Sequence, residues 1–177
     1  NKIIVNHTSN PENTSTVIRL NEDGSLDDTF SERTYGYLAV KMIAQPDNNI
    51  LILLPLALLR LKENGEEDET FAVGGFPGHE SINMELALDG KITVVTFSPS
   101  TFRRFLANGN VDTSFTPYAL PNIFAHGYKT FGLQTNGNII VGDGFNSQVK
   151  GEPIPNSFIR ILSDGSQDAL FNPGGIG

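Results

Sequence analysis

The chain of 177 residues contains no cysteine and no tryptophan. Without cysteine, disulfide bonds and thiolate metal sites are excluded. The missing cysteine does not indicate a compartment, since many exported bacterial proteins also lack this residue. Without tryptophan, a lectin-like site would have to stack sugar rings on tyrosine, which weakens that prediction.

Basic residues are also scarce, with 12 Lys and Arg against 20 Asp and Glu and a net charge of −8. A nucleic-acid partner needs a basic face, and attraction to an anionic membrane surface needs one too. The most apolar run, residues 50–61, is far short of the roughly 20 residues needed to cross a bilayer, and Pro55 interrupts it. We therefore expect no nucleic-acid partner and no membrane insertion.

The chain begins at Asn1 and carries no signal-like segment, so we expect a processed or excised piece of a longer protein. Its length suits one domain, residues 1–177, with a substantial core. The 18 Gly and 10 Pro favour frequent turns, and no helical periodicity runs for more than a few residues. Composition and pattern therefore favour an all-β chain.

One motif, R-x4-G-x2-D-x2-F, occurs four times without a gap, first as "VIRLNEDGSLDDTF". A second unit alternates with it, an apolar strand, a turn rich in Asp, Asn or Gly, and another apolar strand, as in "MELALDGKITVV". This second unit is typical of a β-hairpin. The four copies of the motif lie at residues 17–30, 58–71, 102–115 and 158–171.

The spacing of the copies indicates the architecture. Each period holds two hairpins in roughly 40–55 residues, which is the length of a propeller blade. The strand segments are almost continuously apolar, as in sheets that are covered on both faces. We predict an all-β β-propeller built from four repeats with two hairpins per blade, as a closed or partial ring. A β-sandwich and a β-solenoid are the alternatives, although a solenoid needs shorter repeats and a sandwich needs no regular duplication.

The alternation of "ALDGKITVV" with "IRLNEDGSLDDTF" resembles the delta-60 repeat, a bacterial β-propeller repeat. The resemblance covers nearly the whole chain and is closest in the first copy of the motif. The third copy, "RFLANGNVDTSF", departs from the family with Phe and Leu where Leu and Asn are usual. The resemblance implies a propeller of a large exported or surface-attached bacterial protein, so we expect an extracellular or cell-surface location. It does not imply a chemistry.

The first copy of the motif also resembles a calcium-binding loop, because Asn21, Asp23 and Asp27 lie at spacings that are found in loops with oxygen ligands. In the other copies, the position of Asn21 holds Lys or Leu, which would not serve as calcium ligands. Asp23 and its equivalents always precede Gly, as tight hairpin turns demand. We therefore predict a turn and no cofactor, and keep a calcium ion at the first copy as the alternative.

The recurring Arg and Asp are always eight positions apart, on either side of the turn. An Arg in an apolar strand is costly unless it is paired, so we predict a bidentate pair with the Asp of the same copy. The pairs could instead bridge neighbouring blades. The recurring Phe is predicted to pack into the core of its blade. The predicted structural residues are Arg19, Asp27 and Phe30, Arg60, Asp68 and Phe71, Arg104, Asp112 and Phe115, and Arg160, Asp168 and Phe171.

No chemical constellation stands outside the repeats. His7, His79 and His126 do not recur at equivalent positions and have no set of metal ligands at short spacing. No nucleophile elbow and no phosphate-binding loop is present. Scattered acids could form a glycosidase-like pair, but the sequence alone does not place two of them at the required separation. We predict no catalytic residue and no enzyme.

The links between the hairpins vary in length, and such links often form the binding face of a repeat protein. We predict a non-catalytic scaffold or binding module for a protein or a glycan. The alternatives are a secreted hydrolase or lyase acting on polysaccharides and a calcium-stabilised binding module. Self-association or further repeats would complete the ring. The candidate binding residues in the variable links are Asn6, His7, Tyr118, His126, Tyr128 and Asn146.

Overall fold

Every regular element that the computed structural model describes is a β-strand, which confirms the all-β prediction. The described part of the chain has no helix with the length and apolar character needed to cross a membrane. The chain divides into two compact units, 1–81 and 82–177, a division that the repeat pattern did not predict. The described residues are 2–9, 13–72, 80–97, 100–120, 129–143, 148–149, 152–153 and 158–171.

Unit 1 contains two three-stranded antiparallel sheets whose strands follow one another in chain order. We number the repeats 1 to 4 by their copies of the motif, so these two sheets belong to repeats 1 and 2. The sheet of repeat 1 contains β1 (Lys2–Ser9), β2 (Thr14–Asn21) and β3 (Arg33–Tyr35). The sheet of repeat 2 contains β4 (Lys41–Ala44), β5 (Ile50–Leu54) and β6 (Ala57–Leu61).

The core of unit 1 lies between these two sheets. Strand β2 alternates buried and partly exposed residues, because one of its faces packs on the sheet of repeat 2. All five residues of β5 are buried, as its uninterrupted apolar sequence predicts. The buried cluster between the sheets contains Val17, Phe30, Ile50, Ile52, Leu54 and Leu61.

Repeats 3 and 4 form a four-stranded and a three-stranded antiparallel sheet. The sheet of repeat 3 contains β7 (Glu80–Leu86), β8 (Ile92–Phe97), β9 (Thr101–Phe105) and β10 (Tyr118–Ala119), in the spatial order β10-β9-β8-β7. The sheet of repeat 4 contains β11 (Lys129–Leu133), β12 (Ile139–Asp143) and β15 (Phe158–Ile161). Between β12 and β15, β13 (Gln148–Val149) pairs with β14 (Glu152–Pro153).

The core of unit 2 repeats the arrangement of unit 1. The rings of Phe102 in repeat 3 and Phe131 in repeat 4 meet edge to face, with centroids 5.1 Å apart. Such a pair stabilises packing beyond the area that it buries. The surrounding cluster contains Val95, Phe102, Phe115, Leu120, Phe131, Ile139, Val141, Ile159 and Ile161.

The second hairpin of each repeat differs from its predicted form in one detail. Its return arm is a single bridge, such as Leu20 opposite Leu26, rather than a full strand. The amide of Asp27 then donates to the carbonyl of Arg19 over 2.9 Å, and the amide of Phe30 donates to the carbonyl of Asp27 over 3.0 Å. These two bonds turn the chain away from the sheet. The outermost strands, β3 and β10, follow this turn in the chain.

Candidate functional site

The recurring Arg and Asp side chains meet within each copy of the motif. In repeats 2 and 4, the Nη2 group of the Arg also lies 2.6 Å from the same carboxylate oxygen. Arg19, the Arg of repeat 1, additionally donates through Nη1 to the carbonyl of Glu63 in repeat 2, so this one side chain serves its own repeat and the next. Nε of Arg19, Arg60, Arg104 and Arg160 donates to Oδ2 of Asp27, Asp68, Asp112 and Asp168 over 2.6, 2.8, 2.7 and 2.8 Å, respectively.

Each recurring Phe lies beneath the guanidinium group of its own copy. The distance from the Arg Cζ atom to the ring centroid is between 4.6 and 5.0 Å in the four repeats. This is the geometry of a cation–π contact. Phe30 and Phe115 are also members of the two core clusters, whereas Phe171 is only half-buried. The Phe therefore supports the ion pair as well as the core.

A hydroxyl group that the sequence reasoning missed completes three of these clusters. In repeat 2, the hydroxyl of Thr70 donates to Oδ1 of Asp68 over 2.6 Å, and its amide donates to the same atom over 3.1 Å. Thr29 and Ser114 make the same two bonds in repeats 1 and 3, and in repeat 4 Leu170 supplies the amide alone. The signal was present, because three of the four copies read D-x-[ST]-F.

These bonds set the protonation of the carboxylates. The hydroxyl of Thr70, followed by the guanidinium of Arg60, lowers the pKa of Asp68 to about 2. Burial opposes ionisation of Asp112, but hydrogen bonds from Ser114 and Arg104 outweigh it and lower the pKa to about 2. The clusters are thus ionised ion pairs that stabilise the turns of the repeats.

The candidate calcium ligands of repeat 1 have other partners. The ammonium group of Lys2 lies 2.6 Å from Oδ1 of Asn21 and 2.9 Å from Oδ2 of Asp27. Oδ1 of Asp23 accepts bonds from the amide and hydroxyl of Ser25 over 3.0 and 2.7 Å, as in a turn. In the described part of the chain, no group of three or more His, Asp and Glu side chains is placed to hold a metal ion.

The binding residues predicted from the variable links are only partly described. Asn6 and His7 lie in β1 rather than in a link, because the pairing of β1 with β2 continues to Ser9 opposite Thr14. Tyr118 lies in β10 and donates a 2.7 Å hydrogen bond to Gln167, and burial raises its pKa. His126, Tyr128 and Asn146 lie outside the described residues.

In each unit, a groove lies between the hairpin turns of its two repeats. The groove of unit 2 has a volume of about 760 Å³, and that of unit 1 about 650 Å³. Repeat 3 lines the unit 2 groove with Leu86, Ala87, Leu88, Asp89, Lys91, Thr93, Arg104 and Ser114, and repeat 4 with Leu133, Gln134, Thr135, Asn136, Gly137, Ser163 and Asp164. The unit 1 groove is lined by Arg19, Thr29, Asp47, Asn49, Lys62, Glu63 and Asn64.

One substitution between repeats distinguishes the unit 2 groove. Lys91 stands where repeat 1 has Lys2, but Leu106 replaces Asn21, the amide that holds Lys2. Nζ of Lys91 therefore lies 3.5 Å from Asp89 and 3.7 Å from Asp112, within ion-pair range but without a hydrogen bond to any described residue.

The guanidinium groups also differ between the two grooves. Nη1 of Arg19 donates to Glu63, whereas Nη1 of Arg104 has no hydrogen-bond partner in the described ranges. The unit 2 groove thus presents two cationic groups with donors available to a ligand. They lie beside the carboxylates of Asp89 and Asp164 and the side chains of three leucines.

Comparison with known proteins supports the fold. A family model described as "Domain of unknown function (DUF5122) beta-propeller" matches residues 1–30. No curated protein matches the chain at a significant level. The match covers the first part of repeat 1, where the resemblance to a propeller repeat is closest.

Solved structures match nearly the whole chain at low identity. A protein of unknown function from Bacteroides caccae is 13% identical with a TM-score of 0.55, over 96% of this chain and 64% of that one. A streptogramin B lyase is 13% identical with a TM-score of 0.58, over 95% and 57%. A catalytically inactive H270A virginiamycin B lyase from Staphylococcus aureus, solved with quinupristin, is 12% identical with a TM-score of 0.55, over 98% and 62%. The fold prediction is confirmed, and the chain spans about three-fifths of the length of these proteins.

The prediction that the chain is not an enzyme is corrected by these neighbours. It rested on repetition without a separate chemical constellation, yet streptogramin B lyase is an enzyme that shares this fold. Repetition does not exclude catalysis, because a few substitutions make one groove chemically different from its equivalent. Leu106 at the position of Asn21 leaves Lys91 of the unit 2 groove without the amide that holds Lys2, which shows how small such a change is.

Proposed function

We propose that this chain is a β-propeller binding module of an exported or surface-attached bacterial protein, and that its unit 2 groove binds a glycan. The observation that carries the proposal is the pair of available donors on Lys91 and Arg104 beside the carboxylates of Asp89 and Asp164. The protein ligand that the sequence left open is an outcome of the test below.

The charges of the groove favour a neutral, hydroxyl-rich ligand. Lys91 and Arg104 supply two positive charges, and Asp89 and Asp164 supply two negative charges. Hydrogen bonds from Ser166 lower the pKa of Asp164, so its carboxylate is ionised at neutral pH. A sugar hydroxyl both donates and accepts, so it can bond to a carboxylate and to a cation at once, and hydrogen bonds to charged groups are the stronger ones. A polyanion would meet the two carboxylates and the overall charge of −8.

The remaining lining also fits a sugar. Gln134 and Asn136 add amide groups with both donors and acceptors. Leu86, Leu88 and Leu133 provide apolar surface for the C–H face of a ring, in place of the aromatic platform that the groove lacks among its lining residues. A volume of about 760 Å³ lies in the range of small-ligand sites.

The assignment to the delta-60 repeats belongs to the same proposal. It is supported by the alternation of the hairpin unit with four gapless copies of the motif. The exported or surface-attached location follows from that assignment, and a glycan ligand would suit such a location.

A glycan array followed by titration calorimetry tests the proposal. We expect binding to a defined oligosaccharide, and we expect Lys91→Ala to weaken it at least about tenfold, since a hydrogen bond from a charged group contributes about 1.5–3 kcal/mol. Lys62→Ala is the matched control, because Lys62 lines the unit 1 groove. Binding that Lys91→Ala leaves unchanged, or binding to proteins and no glycan, would overturn the proposal.

Lyase chemistry is the second candidate, favoured by the lyases among the structural neighbours. The unit 2 groove holds carboxylates and an ammonium group, which are the groups that transfer protons in general acid–base catalysis. Incubation with quinupristin and with polysaccharides, followed by mass spectrometry, tests this candidate. Cleavage that Asp89→Asn abolishes would support it, and intact substrates would rule it out for these compounds.

A further inference from the structure

In each unit, the second of the two sheets has an apolar face that packs on the sheet of the preceding repeat. In repeat 2, this face contains Ile50, opposite Leu61 in the strand pairing, and Ile52. All three are buried in the cluster that they share with Val17 and Phe30 of repeat 1. We call this the leading face. In repeat 4, the leading face contains the equivalent residues Ile139, Val141, Ile159 and Ile161, all of them buried against repeat 3.

Repeat 1 has the same leading face, but it is not buried. The strand pairing sets Ile3 opposite Leu20 and Val5 opposite Ile18, the same register as in repeats 2 and 4. Ile3 is 47% exposed, and the other three side chains are partly exposed. Four apolar side chains on one exposed sheet face are the usual mark of an interaction surface.

The turn of repeat 1 shows the same contrast. A Cβ atom at Gly65 in repeat 2 or at Gly165 in repeat 4 would overlap the backbone of the preceding repeat, at Ser31 and Thr116, respectively. The amides of Ser31 and Thr116 donate to the carbonyls of Asn64 and Asp164 over 2.8 Å. A Cβ atom at Gly24 would have nothing within 4 Å. The turns of repeats 2 and 4 therefore contact the backbone of the preceding repeat. The turn of repeat 1 has the same glycine but makes no such contact.

The complementary surface is exposed on repeat 4. In repeats 1 and 3, the residue two positions before the recurring Arg is Val17 or Phe102, and both are fully buried against the next repeat. The equivalent residue in repeat 4 is Phe158, which is 47% exposed. Together with the half-buried Phe171, it forms what we call the trailing face of repeat 4.

We propose that the leading face of repeat 1 docks on the trailing face of repeat 4 in a second copy of this chain. The occupant is inferred from the chemistry of the two contacts inside the units, where an aliphatic leading face meets an apolar trailing face that carries the recurring Phe. Both halves of one more such contact are exposed in this structure. Because the two surfaces differ, the contact is head-to-tail, and it generates a closed ring or an open chain of copies. This proposal is independent of the proposed glycan binding.

Sedimentation velocity over a wide concentration range tests the proposal. We expect the wild-type chain to associate, and we expect Ile3→Glu or Phe158→Glu to weaken association at least tenfold, because each change places an unpaired charge in an apolar contact. Val111→Glu is the matched control. Val111 is an apolar residue that is 63% exposed, and repeat 2 carries Glu67 at the same position, so the control should associate like the wild type. Circular dichroism should show that all three variants fold.

Mixing the two interface variants makes the test specific. The Phe158→Glu chain keeps its leading face, and the Ile3→Glu chain keeps its trailing face, so an equimolar mixture should form a heterodimer through one intact contact. A wild-type chain that stays monomeric at every concentration would overturn the proposal. Association that neither variant weakens, or a mixture that stays monomeric, would overturn it as well.

Discussion

Arg104 donates a 2.7 Å hydrogen bond to Asp112 at a place where the two side chains are only 7% and 5% exposed. The guanidinium group also lies 4.7 Å from the ring centroid of Phe115, so a charge that would be costly to bury has a carboxylate and an aromatic face as partners. Residues eight positions apart meet here because the turn between them reverses the chain. The same arrangement occurs in all four repeats, so the motif has a structural role in each of them.

Asp112→Asn should destabilise the fold by about 3 kcal/mol, because it leaves the charge of Arg104 buried without a counter-ion. Asp168→Asn is the matched control, since its partner Arg160 is 29% exposed and water can solvate the charge. Denaturant unfolding of both variants gives the comparison, with the larger loss expected for Asp112→Asn. Equal losses would contradict the role that we assign to burial.

Acid should destabilise the protein in a defined range of pH. The pKa of Asp68 and that of Asp112 are lowered to about 2 in the folded state, against about 3.9 for Asp in an unfolded chain. Because the folded pKa is the lower one, the ionised carboxylates stabilise the fold fully above about pH 5, and this stabilisation is lost as the pH falls towards 2. Unfolding free energies measured from pH 7 down to pH 2 check this. A flat profile over that range would contradict it.

The hydroxyl of Thr70 has a separate effect on that titration. Thr70→Val removes the hydrogen bond that contributes most to lowering the pKa of Asp68, so this pKa should rise towards its ordinary value. Thr70→Ser keeps the hydroxyl and should leave the pKa low. Carboxyl NMR titrations of the two variants make the comparison. An unchanged pKa in Thr70→Val would show that Arg60 and the amide of residue 70 set it without the hydroxyl.

Gly65 and Gly24 allow the contact between repeats to be separated from backbone strain. Both have φ of +84°, a conformation that Asn tolerates better than most residues, so the strain of a change to Asn is the same at both positions. Gly65→Asn should cost at least about 2 kcal/mol more than Gly24→Asn, because only Gly65 lies against the backbone of the preceding repeat. Unfolding of the dilute chains measures the difference. Equal costs would mean that the glycine serves the turn alone.

Calcium should not stabilise the fold. The ammonium group of Lys2 lies between Asn21 and Asp27, where a cation would otherwise sit, and a ligand raises the melting temperature only if it binds the folded state. We expect the same melting temperature in excess calcium and in excess chelator. A rise of several degrees in the melting temperature with calcium would contradict this prediction and support the alternative of a calcium-stabilised binding module.

The features that depend on local chain geometry could be predicted from the sequence. The all-β repeats and the meeting of each Arg with the Asp of its own copy follow from a fixed spacing across a turn. The role of Thr29, Thr70 and Ser114 was also readable, since the hydroxyl recurs at one position of the aligned copies.

The features that could not be predicted from the sequence depend on contacts between repeats. Lys91 is available because Leu106 has replaced Asn21, and the two positions become neighbours only when the sheet forms. The exposed leading face of Ile3 is recognised only by comparison with buried equivalents. The position of two candidate binding residues was not predicted for a related reason, because the pairing of β1 with β2 extends through Asn6 and His7 and makes them part of a strand rather than a link.

The central claim is that the repeated motif builds the fold while the unit 2 groove, where the repeats differ, recognises the ligand. The most direct measurement is calorimetric titration of one array-selected oligosaccharide into wild-type, Lys91→Ala and Lys62→Ala chains. We predict binding at least about tenfold weaker in Lys91→Ala and unchanged in Lys62→Ala. Equal affinity in all three chains would contradict the claim.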